Sequence, residues 1–274
     1  MKIKYFLSFS LLLIASVFLS SCSSDDDFGE AIPKEQVVNY FPLSTGNEWE
    51  YFNQEKVADN PLVKETEWLR VSDSIQEYDT PGFLFSSNLN TEKQGASSNF
   101  LTRGILNKVE AKLVFNGDYN ISLPLLGDSL AIPLENALIL HQNKPEEYVL
   151  HRSRGTLLQN LTIENSKIPV RFAYDLKIIQ GKELKEKGDF EQVITSHLSL
   201  TLSGSTILPS GETIEILPKS EVLNTDFFFA KDVGIFLNKT DFSVKFKNLS
   251  AFSLPEIPTI KGWKSQELKN FRVK

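Results

Sequence analysis

From Val37 onward, apolar and polar residues alternate with a period of two, the pattern of strands with one buried and one wetted face. Val109, Ala111, Leu113 and Phe115 share a face opposite Lys108, Glu110 and Lys112. Asn116-Gly117-Asp118 then offers turn residues before Tyr119, Ile121, Leu123 and Leu125 alternate again, which predicts a hairpin turning at Gly117. Phe172, Tyr174, Leu176 and Ile178 form a second stripe, a charged loop is expected over 181–189, and Ile194, Leu198, Leu200 and Leu202 form a third. Phe242, Val244 and Phe246 alternate near the C-terminus. Further strands are expected over 48–52, 66–76, 83–87 and 222–229, with a tight turn at Asp79-Thr80-Pro81-Gly82 in which Gly82 takes a positive φ. Helix signals are weak and fall at 133–141, where Pro133 suits a first helical position, and at Pro145-Glu146-Glu147. The expected fold is mainly β: an antiparallel sheet forming a curved half-barrel or sandwich with one or two short helices.

The N-terminus follows a different rule. Lys2 and Lys4 precede an apolar run from Tyr5 to Leu19 that is too short for a stable membrane span. Leu19-Ser20-Ser21-Cys22 comes next. This resembles a bacterial lipobox, which implies removal of residues 1–21 and a diacylglyceryl group, with palmitate, on the Cys22 sulfur. Ser23, Ser24, Asp25, Asp26 and Asp27 resemble the acidic surface-export signal of lipoproteins in Bacteroidota, and equally suit a solvated tether whose charges repel. The expected organisation is a signal peptide at 1–21, a lipidated acidic tether at 22–36, a β-rich domain at 37–249 and a C-terminal extension at 250–274. The expected location is the outer membrane, lipid-anchored and facing the cell surface, with the Cys22 lipid as the membrane contact.

Composition narrows the functional classes. Removing 1–21 leaves 253 residues and moves the formal charge from −6 to −8, and no basic stripe exists to displace phosphate counterions, so a nucleic-acid partner is not expected. Cys22 is the single cysteine, which rules out disulfides, thiol nucleophiles and cysteine metal sites past it. Twenty phenylalanines against one methionine suit pleated, half-buried surfaces.

Two segments carry a family resemblance. Tyr40-Phe41-Pro42-Leu43-Ser44-Thr45-Gly46-Asn47-Glu48-Trp49-Glu50-Tyr51 resembles the opening of the TapB-like domains of unknown function found in bacterial lipoproteins. Phe228-Phe229-Ala230-Lys231-Asp232-Val233-Gly234-Ile235-Phe236 resembles their late "FA-x-GVG" segment. The family's "TP-A-G-T-F" segment has no counterpart; Leu208-Pro209-Ser210-Gly211-Glu212-Thr213 is its nearest approach. The resemblance implies an antiparallel sheet curled into a half-barrel and implies no activity. On physical grounds Pro42 fixes φ at the entry to the sheet, Gly46-Asn47 permits a tight turn, and Gly234 permits a turn or bulge. Trp49 and Tyr51, two residues apart, share a face. They read as core anchors or, alternatively, as a sugar-stacking platform.

Chemistry is sparse. His141, His151 and His197 lack metal-ligand spacing, there is no nucleophile elbow or phosphate loop, and no cofactor is expected. Gly204-Ser205-Thr206 reads as a turn. Asp226, beside Phe227-Phe228-Phe229, is the acid in the most apolar surroundings and would be a proton donor if buried; the ordinary reading is a solvated strand residue. Ser74 and Ser129, in Asp-Ser-apolar triplets, resemble O-glycosylation acceptors of Bacteroidota. The charge-poor stretch 121–140 is either core or the lining of an apolar cavity. The expectation is a non-enzymatic surface lipoprotein that binds an apolar ligand, a glycan or a protein partner. An uptake-system reading requires exposed coplanar aromatics among Trp49, Trp68 and Trp263, and a carboxylate-pair hydrolase is the third reading.

Overall fold

The computed structural model describes residues 37–77, 80–121, 129–163, 166–208, 210–248, 250 and 257–274. They form twelve antiparallel strands and one short helix. The strands are β1 (Glu48–Val57), β2 (Val63–Glu77), β3 (Thr80–Ser87), β4 (Gly104–Val109), β5 (Lys112–Ile121), β6 (Leu130–His141), β7 (Val149–Ile163), β8 (Ser166–Lys187), β9 (Phe190–Ile207), β10 (Thr213–Ala230), β11 (Gly234–Val244) and β12 (Ile260–Arg272); the helix is α1 (Ala96–Leu101). The sheet order is β6-β5-β4-β3-β2-β1-β12-β11-β10-β9-β8-β7. It curls into a nearly closed barrel with one unsealed seam. That seam lies between β6 and β7, neighbours in sequence that share no ladder. Pro133, which has no N–H to offer, sits on the β6 edge, and Asn136 there takes φ +48; both suit an edge strand. Side chains bridge the gap instead, Ser153 Oγ donating to the Pro133 carbonyl at 3.4 Å and the His141 N–H donating to Gln180 Oε1 at 3.2 Å.

The two family-like segments, distant in sequence, meet inside the barrel. Trp49 Nε1 donates to the Val233 carbonyl and the Tyr51 hydroxyl donates to the Ile235 carbonyl, each at 2.6 Å. Phe41 stacks on Trp49 with centroids 5.3 Å apart. Gly234 lies at φ +107, and a Cβ there would stand 3.0 Å from the Phe41 ring, so both conformation and space demand glycine. Gly46, at φ +89, makes the expected turn before β1, where the Asn47 side chain donates to the Pro42 carbonyl at 2.9 Å.

α1 packs against β3, β4, β5, β11 and β12, with Phe100 on Phe115 at 4.0 Å. A buried polar network docks its first turn. Glu67 Oε2 accepts from Asn53 Nδ2 at 2.7 Å, the Gly95 N–H at 3.0 Å and Gln266 Nε2 at 2.9 Å, while Glu67 Oε1 accepts from Ser87 Oγ at 2.6 Å. Gln266 Oε1 accepts from Asn238 Nδ2 and the Ser97 N–H. A Cβ on Gly95 would fall 2.4 Å from Gln266. The carboxylate is held by four neutral donors.

Several expectations change. Residues 133–141 form β6, not a helix, because Leu130, Ile132, Leu134, Ala137 and Ile139 supply an inward stripe. Pro145-Glu146-Glu147 is a turn in which the Glu147 N–H bonds to the Gln180 carbonyl. The β4–β5 hairpin turns at Glu110, at φ +52, rather than at Gly117. Gly117 instead lets β5 press on Gly104, whose Cα would lie 2.6 Å from a Cβ added at Gly117. Gly82 has no positive φ; it lies in β3 because a Cβ would meet Ile105 at 2.5 Å. The 181–189 stretch is mostly β8, which turns only at Gly188, and Gly204-Ser205-Thr206 is the interior of β9. The segment 250–274, expected as an extension, contributes β12 between β1 and β11, because its Ile260, Gln266 and Leu268 point inward. The 121–140 stretch, so far as it is described, puts Ile121, Leu130, Ile132, Leu134, Ala137, Ile139 and Leu140 in the core and leaves Ala131, Pro133, Glu135 and Asn136 exposed.

Tyr51→Phe removes one hydroxyl and leaves the Ile235 carbonyl without its donor. We expect it to lower the unfolding free energy in urea by roughly 1–3 kcal/mol with an unchanged slope. A loss indistinguishable from zero would mean the bond does not hold β1 to the β10–β11 turn.

Candidate functional site

Register places outward residues in rows across the wall. Asn224 on β10 faces Asp241 on β11, Asp241 faces Trp263 on β12, and Trp263 faces Lys56 on β1. All four point away from the core because their neighbours Leu223, Phe242 and Thr240 point in. A groove of about 370 Å³ runs beside the indole, lined by Lys56, Glu221, Asn224, Asp241, Ser243 and Trp263. Trp263 is 38 % exposed. Gly262 shapes the floor: a Cβ there would lie 2.5 Å from the Phe242 ring, so its absence lets the ring slide beneath the backbone. Asn224 Nδ2 donates to Glu221 Oε1 at 2.6 Å, and Lys56 Nζ donates to the Asn60 carbonyl at 2.5 Å, which fixes both polar walls. An aromatic face framed by carboxylates, an amide and an ammonium can take a ligand with one apolar face and hydroxyl edges.

Among the described residues, the centre of the barrel around Phe100 offers little room. The space bounded by Phe100, Ile139, Ile178, Leu198, Phe227 and Phe229 is about 10 Å³, about the room for one water and far below what an acyl chain needs. A cavity of about 250 Å³ beside the start of α1 is lined by Asn53, Glu55, Val63, Glu65, Lys93 and Lys264. Its Lys264–Glu55 and Lys93–Glu65 pairs close at 2.8 and 2.9 Å.

The sequence-predicted residues disperse. Trp49 and Tyr51 are fully buried, so they anchor the core and present no stacking platform. Trp68 is 41 % exposed but stands opposite Glu50, whereas Trp263 stands opposite Lys56. Six residues of strand, roughly 20 Å, separate them, too far for one coplanar face. Ser74 is exposed on β2, with its N–H bonded to Asp73 Oδ1 at 2.7 Å. Ser129 is half-buried just before β6. Cys22 and Ser23, Ser24, Asp25, Asp26 and Asp27 lie outside the described residues, as does Asp128. Among the described residues, no group of three His, Cys, Asp or Glu side chains converges on a common point.

Asp226 is exposed rather than buried, because it points outward while Phe227 and Phe229 point in. It meets His197, its register partner on β9, at 2.7 Å. Spacing in the chain gave no sign of this pair, since 29 residues separate its members. The hydrogen bond that His197 donates to the Asp226 carboxylate raises the His197 pKa, partly opposed by burial of the ring. Burial lowers the pKa of His151, whose Nε2 has no partner. Burial, with Lys112 and Lys144 adding to it, lowers that of His141.

A raised folded-state pKa means that His197 contributes stability fully below its unfolded pKa, ~6.5, and loses it as the pH climbs through the raised value. His151 acts in the opposite sense: its contribution is present above ~6.5 and is lost as the pH falls through its lowered value. In an NMR titration, Asp226→Asn is expected to bring the His197 midpoint down and leave that of His151 in place. An unmoved His197 midpoint would show that the pair does not persist in solution.

No family model matches the chain, and no curated protein matches it. Among solved structures, one match is a crystal structure from Parabacteroides distasonis ATCC 8503, provisionally described as a lipoprotein. It has 10 % identity and a TM-score of 0.35, covering 87 % of this chain and 100 % of that one. So loose an overlap carries no argument about fold or function.

Proposed function

We propose that this chain is a lipid-anchored outer-membrane protein, facing outward, that holds a saccharide against its barrel wall without transforming it. The anchor rests on Leu19-Ser20-Ser21-Cys22 and the export to the surface on Ser23 to Asp27. The observation that carries the binding role is Trp263, exposed in a groove that sets Lys56, Glu221, Asn224 and Asp241 around a floor of Val222, Leu223 and Phe242. A pyranose has an apolar C–H face and an equatorial rim of hydroxyls. The indole takes the face, and Asn224, Asp241, Glu221 and Lys56 exchange hydrogen bonds with the rim. The tight packing around Phe100, Phe227 and Phe229 argues against an acyl chain held at that level of the barrel, and the outer-wall groove is the place we propose for a ligand.

On a glycan array followed by calorimetry, Trp263→Ala is expected to weaken saccharide binding by roughly tenfold or more. Trp68→Ala serves as the control and should retain full affinity, with both variants melting near the parent temperature. Equal affinity in the two variants would remove the groove as the site. Cys22→Ser is expected to abolish palmitate incorporation and move the protein out of the membrane fraction; a variant that stays with the membrane has another anchor.

A further inference from the structure

A second cleft opens on the same outer wall, over β7, β8 and β9. Its volume is about 400 Å³, with Arg152, Arg154, Asp175, Thr201, Ser203 and Lys219 among its lining residues. Asp175 organises it. Arg152 grips the carboxylate with two N–H groups, Nε to Oδ1 at 2.8 Å and Nη2 to Oδ2, and Arg154 Nε approaches Oδ2 at 3.3 Å. The carboxylate is only 18 % exposed while the two arginines are 40 % and 60 % exposed. One partly buried acid therefore orients two guanidinium groups and leaves their remaining N–H donors directed elsewhere. Lys219 enters from β10, where the ladder to β9 shifts register between Leu217 and Ser220.

The charge is concentrated against the trend of the chain. The outward positions of β7, β8 and β9 beside the cleft carry Arg152, Arg154, Arg171 and Lys177 against Asp175, and β10 adds Lys219 together with Glu221, the register partner of Thr201. The whole chain has a formal charge of −6. Gathering cations on one patch of an acidic protein costs repulsion that a bound anion relieves. The hydroxyls of Thr201 and Ser203 add donors, a combination that suits an oxyanion.

The cleft is also in line with the indole. Arg152 faces Lys177, Lys177 faces Ser199, and Ser199 faces Asn224, which begins the row leading to Asp241 and Trp263. Five inter-strand spacings, roughly 24 Å along the curved wall, separate Arg152 from Trp263. We propose that the ligand is an anionic oligosaccharide whose carboxylate or phosphate sits in the Arg152–Arg154–Lys219 cleft while another of its sugars stacks on Trp263. This rests on the saccharide reading of the groove and names the ligand's charge and extent.

The test uses the mature, lipidated chain in detergent and oligosaccharides of matched skeleton: uronate-bearing, phosphate-bearing, and the same uronates as methyl esters. Acid-bearing forms are expected to bind roughly tenfold tighter than the esters, with the gap narrowing as sodium chloride is raised. Whichever of uronate or phosphate gains more identifies the source of the oxyanion. Arg154→Gln with Lys219→Gln should erase the gap and leave ester affinity unchanged, while Trp263→Ala should weaken acid and ester alike. Equal affinity for acids and esters in the parent, or a gap that survives the double substitution, overturns the anion cleft and leaves the saccharide groove standing. If no oligosaccharide binds, inorganic phosphate is titrated while the Arg152 and Arg154 Nε–H signals are followed by NMR. Shifts lost in the double variant keep the oxyanion cleft and sink the saccharide reading; unmoved signals sink both.

Discussion

A barrel of twelve strands is too wide for its own side chains to fill, since about eight strands is the size at which they just meet in the middle. The rest of this structure follows from that constraint. α1 enters the barrel and packs Phe100 on Phe115, and the segment before β1 contributes Tyr40 and Phe41. Filling with backbone brings polar groups inside, and each needs a partner. Glu67, Gln266, Asn53, Asn238, Ser97 and Ser98, from four strands and the helix, form a network that meets most of this need, while Asn53 Oδ1 and Asn238 Oδ1 have no partner among the described residues. Elsewhere in the interior the same difficulty is met by side chains that are apolar in body and polar at the tip. Trp49 and Tyr51 fill volume and still satisfy carbonyls at the bulged turn between β10 and β11.

Much of this was legible in the chain, and the limits have physical causes. Alternation revealed the strands because each has one inward face, and Gly46 and Gly234 were read for the positive φ they adopt. β6 was mistaken for a helix because Pro133, Glu135 and Ala137 imitate a helical start, and an edge position that tolerates proline leaves no local mark. Asn116-Gly117 resembled a turn because glycine that yields space and glycine that supplies positive φ look alike in sequence. α1 has no cap signal: Gly95 is there to make room for Gln266, and Ser97 and Ser98 are poor helix formers kept for their hydrogen bonds. β12 follows a stretch with little alternation, which made the end of the chain look appended.

The wall sites were less visible still. Trp263 could be named as an aromatic of interest, but Asn224, Asp241 and Lys56 come beside it only through the register of four strands. His197 and Asp226 meet in the same way. Cross-strand rows are built from residues tens of positions apart, so composition and spacing carry almost no trace of them. The cationic cleft was hidden for a further reason, because a net acidic chain masks a local excess of the opposite sign.

The strand order has a consequence for how the molecule is assembled. Strands β1 to β6 pair in sequence order, and so do β7 to β12, with α1 interrupting the run between β3 and β4 and a longer connection between β11 and β12, so most ladders are local and close cheaply. The pairing of β1 with β12 spans nearly the whole chain and carries the highest loop-closure entropy. Synthesis runs from β1 to β12, so the two meanders cannot be joined until the last dozen residues are present. A chain that ends before Ile260 has two curled sheets with four bare edges, the kind of template on which strands aggregate. Joining of the two meanders is thus a direct readout of whether β12 has been made, and a product lacking it is marked by the edges it leaves open.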